Sequence, residues 1–139
     1  MVRHLNVQKL YDIAEKSDII VNTRDMLPPS IAVDILGVRA IALRKNLTNA
    51  EERSFLSHEL GHHVKGALYK KETPGFTRGQ CEHKANKWAV HKLMPFRSLH
   101  TAFLKGYTEV WEIAEYFEVT EEFVIKAIEI YKQEGKLPV

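Results

Sequence analysis

Cysteine and long apolar runs are what this chain of 139 residues lacks most. Cys81 is its single cysteine, so no intrachain disulfide can form, which excludes a disulfide-stapled fold and favours a reducing compartment. No stretch approaches the roughly 18 apolar residues of a membrane-spanning helix. The first residues carry no apolar segment of the kind that a secretory signal contains. We therefore expect a cytoplasmic protein that does not enter a membrane.

A strong net charge is also absent, because 20 Lys and Arg residues face 18 Asp and Glu residues. This balance argues neither for nor against a nucleic-acid partner. The charges are unevenly placed: residues 62–105 hold nine Lys or Arg and two Glu, whereas residues 108–134 hold eight Glu and two Lys. Solvated faces are the simplest interpretation of both blocks. We predict one main domain over residues 1–106, with C-terminal helices over 107–139 packed on it.

One segment carries the pattern of a metal-binding helix. Residues 57–63 contain His-Glu-x-x-His as His58, Glu59 and His62. Because a helix turns about 100° per residue, the two histidines lie one turn apart on one face, whereas His63 lies roughly 140° round from His58. Two imidazoles so placed can bind one Zn²⁺, with the glutamate beside them. The alternative is that a short pattern has arisen by chance.

The rest of the chain alternates between short apolar strands and amphipathic helices, which indicates an α+β fold. A capping box, Thr48 with Glu51, predicts the start of the helix that carries the motif, and Gly66 its end. The predicted elements are a helix over 6–16, strands over 18–22, 31–35 and 39–44 with a hairpin at Gly37, the motif helix, a long polar loop over 67–79, and helices over 80–93, 96–105, 110–117 and 120–131.

A catalytic zinc site needs a third protein ligand and an open position for water. The helix after the polar loop offers Glu82, His83 and His91. Glu82 shares the face of Ala85 and Ala89, where a carboxylate costs on the order of several kcal/mol unless it is paired or binds metal. We therefore favour Glu82 and expect the two histidines to be solvated. The competing interpretation places Glu82 in the first turn of its helix, where the helix dipole favours an acid.

These residues resemble the ImmA/IrrE family of metallopeptidases over most of the chain, from about Ile31 to Tyr131. Trp88 stands where the family more often has Phe, and Lys92 where it more often has Leu; neither departure touches the metal chemistry. The resemblance implies a zincin-like fold with His58, His62 and Glu82 as metal ligands. The segments that carry it are His58-Glu59-Leu60-Gly61-His62, Glu82-x-x-Ala85-Asn86-x-Trp88-Ala89, Leu93-Met94-Pro95 and the helix-turn-helix-like region after them.

The resemblance further implies a cytoplasmic endopeptidase that uses zinc, or else manganese, and cuts a specific regulatory protein such as a phage or mobile-element repressor. Glu59 would be the catalytic base that takes a proton from the attacking water. A function from another class remains open, namely a regulatory protein that holds metal structurally and sequesters a partner without cutting it. Longer members carry an additional C-terminal domain, which we expect this chain to lack.

The last two predicted helices and their tight turn have the shape of a helix-turn-helix. Its second helix begins at Thr120 with Glu121 and Glu122, and four further glutamates precede it. Phosphates repel such a surface, and no Arg, Gln or Asn stands where base edges would be read. We therefore interpret the pair as a docking surface or as part of the core, expect a protein partner, and disfavour nucleic acid.

Two parts of the expected mechanism stay open in the sequence. The side chain that stabilises the oxyanion could be Tyr69, His91 or His100. One strand of the hairpin over 31–45 could be a sheet edge that pairs with an extended substrate.

Overall fold

The computed structural model describes residues 6–138, which form six helices and one three-stranded sheet. None of these helices combines the length and the apolarity needed to cross a membrane. In chain order the elements are α1 Val7–Lys16, β1 Ile19–Arg24, β2 Ser30–Ile35, β3 Val38–Arg44, α2 Asn49–Val64, α3 Gly75–Leu93, α4 Phe96–Leu104, α5 Val110–Phe117 and α6 Glu121–Gln133.

The sheet has the order β1-β3-β2, so both β1 and β2 are edge strands. β2 and β3 form the predicted antiparallel hairpin, whose turn residues Leu36 and Gly37 both have positive φ, at 52° and 84°. Such a turn matches the twist of the two strands that it joins. β1 pairs with β3 in parallel, with Val21 opposite Ile41. The sequence predicted the three strands but not this order.

The motif helix α2 lies at the centre of the molecule, between the sheet and α3. Its predicted capping box forms, because Thr48 and Glu51 each bond the other's backbone N–H. Gly61 faces Ala85 of α3 so closely that a Cβ built on it would lie 2.5 Å from the Ala85 carbonyl oxygen. Only glycine therefore allows these two helices to approach each other as they do.

The polar loop predicted over 67–79 is partly wrong, since α3 already begins at Gly75. Residues 75–79 include Gly75 and Gly79 and look irregular in sequence, but Pro74 precedes them in an extended conformation and starts the helix. Glu82 consequently lies two turns inside α3. The interpretation of Glu82 as a first-turn, dipole-favoured acid is wrong.

The helix-turn-helix-like pair α5–α6 packs against α2 and α3 within one continuous apolar core. The buried Arg53 of α2 donates to the carbonyls of Phe117 and Glu118 at the turn, at 3.2 and 3.0 Å. Tyr131 of α6 donates a buried hydrogen bond of 2.7 Å to the carbonyl of Met94. These contacts fix the pair on the motif helix; the boundary at residue 106 stays a prediction.

Candidate metal centre

The end of α2 sets the orientation of His62. Gly66 has a positive φ of 59° and ends the helix in a Schellman turn. In this turn the Gly66 N–H donates to the His63 carbonyl, and the Ala67 N–H donates to the His62 carbonyl. This turn brings the Ala67 carbonyl to 2.8 Å from Nδ1 of His62. Because a carbonyl only accepts, Nδ1 must donate, and Nε2 is the nitrogen left for a ligand.

His58 is held in the same way by a side chain of α3. Its Nδ1 lies 2.7 Å from Oδ1 of Asn86, one helical turn beyond Glu82. Its Nε2 then faces Nε2 of His62 at 3.1 Å. Two Nε2 atoms whose rings both donate through Nδ1 present lone pairs to each other, which is unfavourable unless positive charge lies between them.

Glu82 completes a three-residue cluster with the two histidines. Its Oε1 lies 3.1 Å from Nε2 of His58, and its Oε2 lies 2.7 Å from Nε2 of His62. The ligating atoms of the three residues all lie within 4.8 Å of one another. The structure therefore brings together the three ligands predicted from the sequence, whereas His83 and His91 are exposed on other faces of α3.

The electrostatics of the cluster fit a cation. Hydrogen bonds from His58 and His62 hold the pKa of Glu82 well below its usual value. Burial alone would lower the pKa of His62, but its bonds to Glu82 and to the Ala67 carbonyl raise it. A carboxylate and two fixed imidazoles thus require positive charge at their centre, supplied either by protons or by a metal ion. Two His nitrogens and one carboxylate are an ordinary donor set for a catalytic zinc site.

Glu59 lies beside this cluster and is positioned by the start of β2. Oγ of Ser30 donates a hydrogen bond of 2.5 Å to Oε2 of Glu59, whose side chain is buried. Both residues line a cavity of about 390 Å³ that also contains the three candidate ligands. Ile31, Ala32 and Val33 form one wall of this cavity, so the edge strand β2 runs along it.

Of the three residues considered for oxyanion stabilisation, only Tyr69 lines this cavity. Its ring lies 6.0 Å from that of His62, and partial burial, followed by the nearby Glu82 charge, raises the pKa of its phenol. The phenol therefore stays a hydrogen-bond donor at neutral pH. His91 instead binds Glu134 at 2.8 Å, and His100 is exposed and stacks on Phe96.

His63 points away from the cluster, in agreement with the helical geometry expected from the sequence. Its side chain is buried, and Nε2 lies 3.0 Å from the carbonyl oxygen of Ala40 in β3. The bond ties the motif helix to the central strand of the sheet. Sequence reasoning missed this function, and it also missed Ser30 and Asn86 as partners of Glu59 and His58. Of these residues, only Asn86 could have been found from the sequence, because it lies four residues after Glu82 and so shares its face of the helix.

Comparison with solved structures shows a similar fold. One solved structure with a similar fold is a Mycobacterium tuberculosis transcriptional regulator, at 17% sequence identity and a TM-score of 0.59. The likeness covers 86% of this chain but 39% of the regulator, so the chain corresponds to well under half of that protein. At this identity the comparison shows the fold alone. No curated protein matches the chain.

The fold and the His-Glu-x-x-His cluster together define a zincin-like α+β protein of the metallopeptidase type. More particularly, residues 14–129 match the family model of the IrrE N-terminal-like domain, a peptidase family, and the chain belongs to that family. The match includes the motif helix, α3 and most of the α5–α6 pair. It confirms the family resemblance and the zincin-like α+β fold that the sequence predicted.

Proposed function

We propose that this protein is a metal-dependent endopeptidase that binds zinc through His58, His62 and Glu82. The observation that carries the proposal is the convergence of two Nε2 atoms and one carboxylate, each ring held by a partner on its Nδ1. A divalent metal bound there supplies the Lewis acidity that activates water and polarises the scissile carbonyl. Manganese is the alternative metal.

Glu59 is the proposed general base. It accepts a proton from the attacking water and passes it to the leaving amine, a transfer that contributes about 10²–10⁴-fold in enzymes of this kind. The hydrogen bond from Ser30 holds Oε2 and so orients the carboxylate, leaving Oε1 for the proton. The side chain lies in the same cavity as the metal ligands, where a bound peptide would enter.

The substrate backbone is proposed to lie along β2. That strand is a sheet edge and walls the cavity with residues 31–33, so its free main-chain groups can pair with an extended peptide. Tyr69, across the cavity, is the proposed donor to the oxyanion. A substrate complex that lacks main-chain hydrogen bonds with β2 would contradict the first of these two assignments.

The proposed substrate is a specific regulatory protein, such as a phage or mobile-element repressor, met in the cytoplasm. Family membership supports this choice, and the lone Cys81 is compatible with a reducing compartment. Nucleic acid is an unfavourable partner for the α5–α6 pair, because Glu121 and Glu122 begin the helix that would enter a groove.

Metal content tests the site directly. Elemental mass spectrometry of the purified protein should find about one equivalent of zinc or manganese, as a single three-ligand site requires. Glu82→Ala should lose most of it. His83→Ala, an exposed neighbour on the same helix, serves as the matched control and should retain it. Wild-type protein that stays free of metal after reconstitution would overturn the proposal.

A metal-holding protein that only sequesters its partner is distinguished by Glu59→Gln. This change keeps the size and the hydrogen bond to Ser30 but removes the base. A peptidase should lose about 10²–10⁴-fold in turnover while keeping its metal and its substrate affinity. If instead the variant acts on its partner as the wild type does, sequestration is the function.

A further inference from the structure

A second cavity continues the cleft on the other side of the catalytic glutamate. It measures about 250 Å³ and shares Ser30, His58 and Glu59 with the first cavity. Beyond these shared residues it is bounded by Pro29, by α2, by Asn86 of α3, and by Thr120 with the first two turns of α6. A peptide that passes over Glu59 along β2 would therefore next meet the helix-turn-helix-like pair.

The α6 wall of this cavity is held firmly on the motif helix. The backbone N–H of Thr120, the N-cap of α6, donates to the buried Ser54 Oγ at 3.1 Å. Arg53 binds the carbonyls of the turn just before it. Because Ser54 and Arg53 lie one turn before His58 on the same helix, the distance between the wall and the candidate metal ligands is set within α2.

The chemistry of the wall is that of a selective pocket. Phe55 is half-buried and supplies apolar surface, and Phe123, which is almost wholly buried, lies at the base of the cavity. Glu122 and Lys126 lie at the same cavity on the exposed side of α6, four residues apart. Among residues 6–138 neither of these two charges has an ion-pair partner, although a spacing of four permits a pair. Both charges are therefore available to a bound peptide.

We propose that this second cavity is a specificity subsite of the peptidase, formed by the helix-turn-helix-like pair. It takes an apolar side chain of the substrate against the exposed part of Phe55, while Glu122 and Lys126 select the charge of the residue next to it. The inference rests on the proposed function, since it assigns the substrate-selecting part of the same cleft. In this proposal the α5–α6 pair binds the protein substrate and not DNA.

Charge reversal at the rim tests the subsite without disturbing the core. Lys126→Glu leaves two acids at the exposed rim, beside Glu59 inside the cavity, and should raise the preference for Lys or Arg at one substrate position roughly two- to five-fold, the range for exposed charge pairs. Glu122→Lys leaves two bases and should raise the preference for Asp or Glu at the same position by a similar factor. Opposite shifts at one position are a result that general destabilisation cannot produce. Lys132→Glu and Glu129→Lys are matched controls, exposed on α6 away from the cavity.

Two readouts separate the subsite from the peptidase activity. Metal-loaded protein is incubated with a randomised peptide library and the cut sites are sequenced by mass spectrometry; in parallel, immobilised Glu59→Gln protein captures peptides from the same library. Both profiles should show an apolar residue beside a charge-selected position, and both should shift with the rim variants alone.

The possible outcomes differ for the two proposals. Peptides captured with the expected preference but never cut would leave the subsite standing and overturn the peptidase. Cutting with a profile that neither rim variant changes would support the peptidase and overturn the subsite. Library peptides that are neither cut nor captured would count against both.

Discussion

At the scale of single residues, the candidate site depends on groups that orient the candidate metal ligands. Asn86 is one of them, because its side-chain oxygen fixes Nδ1 of His58. Asn86→Ala should lower metal affinity about 10–100-fold, as loss of such an outer partner generally does. Competition with a chelator of known affinity measures this change.

Asn86→Asp is the control for that prediction, since it keeps an oxygen at the same place. It should retain most of the affinity, and thermal unfolding of the metal-free protein should show that both variants stay folded. If the alanine variant binds metal as tightly as the aspartate variant, the hydrogen bond does not position His58.

The sequence predicted the residues whose chemistry has a local pattern. His58, Glu59 and His62 follow from helical spacing, and Glu82 from the incongruity of a carboxylate on an alanine-lined face. Ser30 could not be predicted, because its contact with Glu59 joins residues 29 positions apart and depends on how the sheet sits on α2. A serine that follows two prolines resembles any loop serine.

At the scale of elements, the close approach of α2 and α3 determines whether Glu82 reaches the histidines. Gly61→Ala should destabilise the fold by about 1–3 kcal/mol, because its methyl group would lie 2.5 Å from the Ala85 carbonyl oxygen and force the helices apart. Metal affinity should fall as well. Urea unfolding and metal titration of the same preparation test both effects.

Gly79→Ala is the matched control for the change at Gly61. Gly79 lies in the exposed first part of α3 with nothing within 4 Å of an added Cβ. Alanine there should stabilise the protein by about 0.5–1 kcal/mol through helix propensity and leave metal binding unchanged. Equal effects of the two substitutions would mean that the α2–α3 contact is not tight.

Arg53 joins α2 to the end of α5, where the last carbonyls of a helix lack intrahelical partners. Arg53→Met should remove a buried bond to the Phe117 carbonyl and a half-buried bond to the Glu118 carbonyl, and loss of the buried bond should cost about 1–3 kcal/mol. Guanidinium chloride unfolding should show a loss on this scale. Arg97→Met, on the exposed side of α4, should stay within about 0.5 kcal/mol of wild type. A similar small loss at Arg53 would contradict its capping role.

The element order was more predictable than the arrangement of the elements. The strands near β1, β2 and β3 and the capped helices all follow from local signals, but the sheet order β1-β3-β2 does not. The residues of β1 do not indicate that this strand pairs in parallel with β3, and not with β2, which follows it in sequence. The early start of α3 was missed because Gly75 and Gly79 are weak helix formers. Residues 75–80 are exposed, so packing does not explain this turn, which follows Pro74 at the N-cap.

At the scale of the whole molecule, the basic middle and the acidic tail of the sequence meet at the end of α6. Glu134 lies 2.8 Å from Nε2 of His91, 3.7 Å from Nζ of Lys87 and 3.6 Å from Nζ of Lys136. Partial burial acts to raise the pKa of Glu134, but the bond to His91 and the charges of its three partners outweigh it and lower the pKa. The ionised carboxylate is therefore favoured in the folded protein, where it links the end of α6 to α3.

A lowered pKa in the folded state makes this link depend on pH. The stabilisation that the Glu134 carboxylate gives the folded protein is complete above the pKa of an unfolded glutamate, about 4.3. It is lost as the pH falls through the lower pKa that Glu134 has in the folded protein. Glu134→Gln should thus lower the free energy of unfolding by about 0.2–1 kcal/mol at neutral pH, the range for partly exposed ion pairs. The two proteins should become equally stable once the wild-type carboxylate is protonated in acid. Chemical unfolding of both proteins from pH 7 downward measures the difference, with Glu129→Gln as the exposed control on the same helix. A difference that persists undiminished in acid would show that the shape of the side chain, and not its charge, links the two parts of the chain.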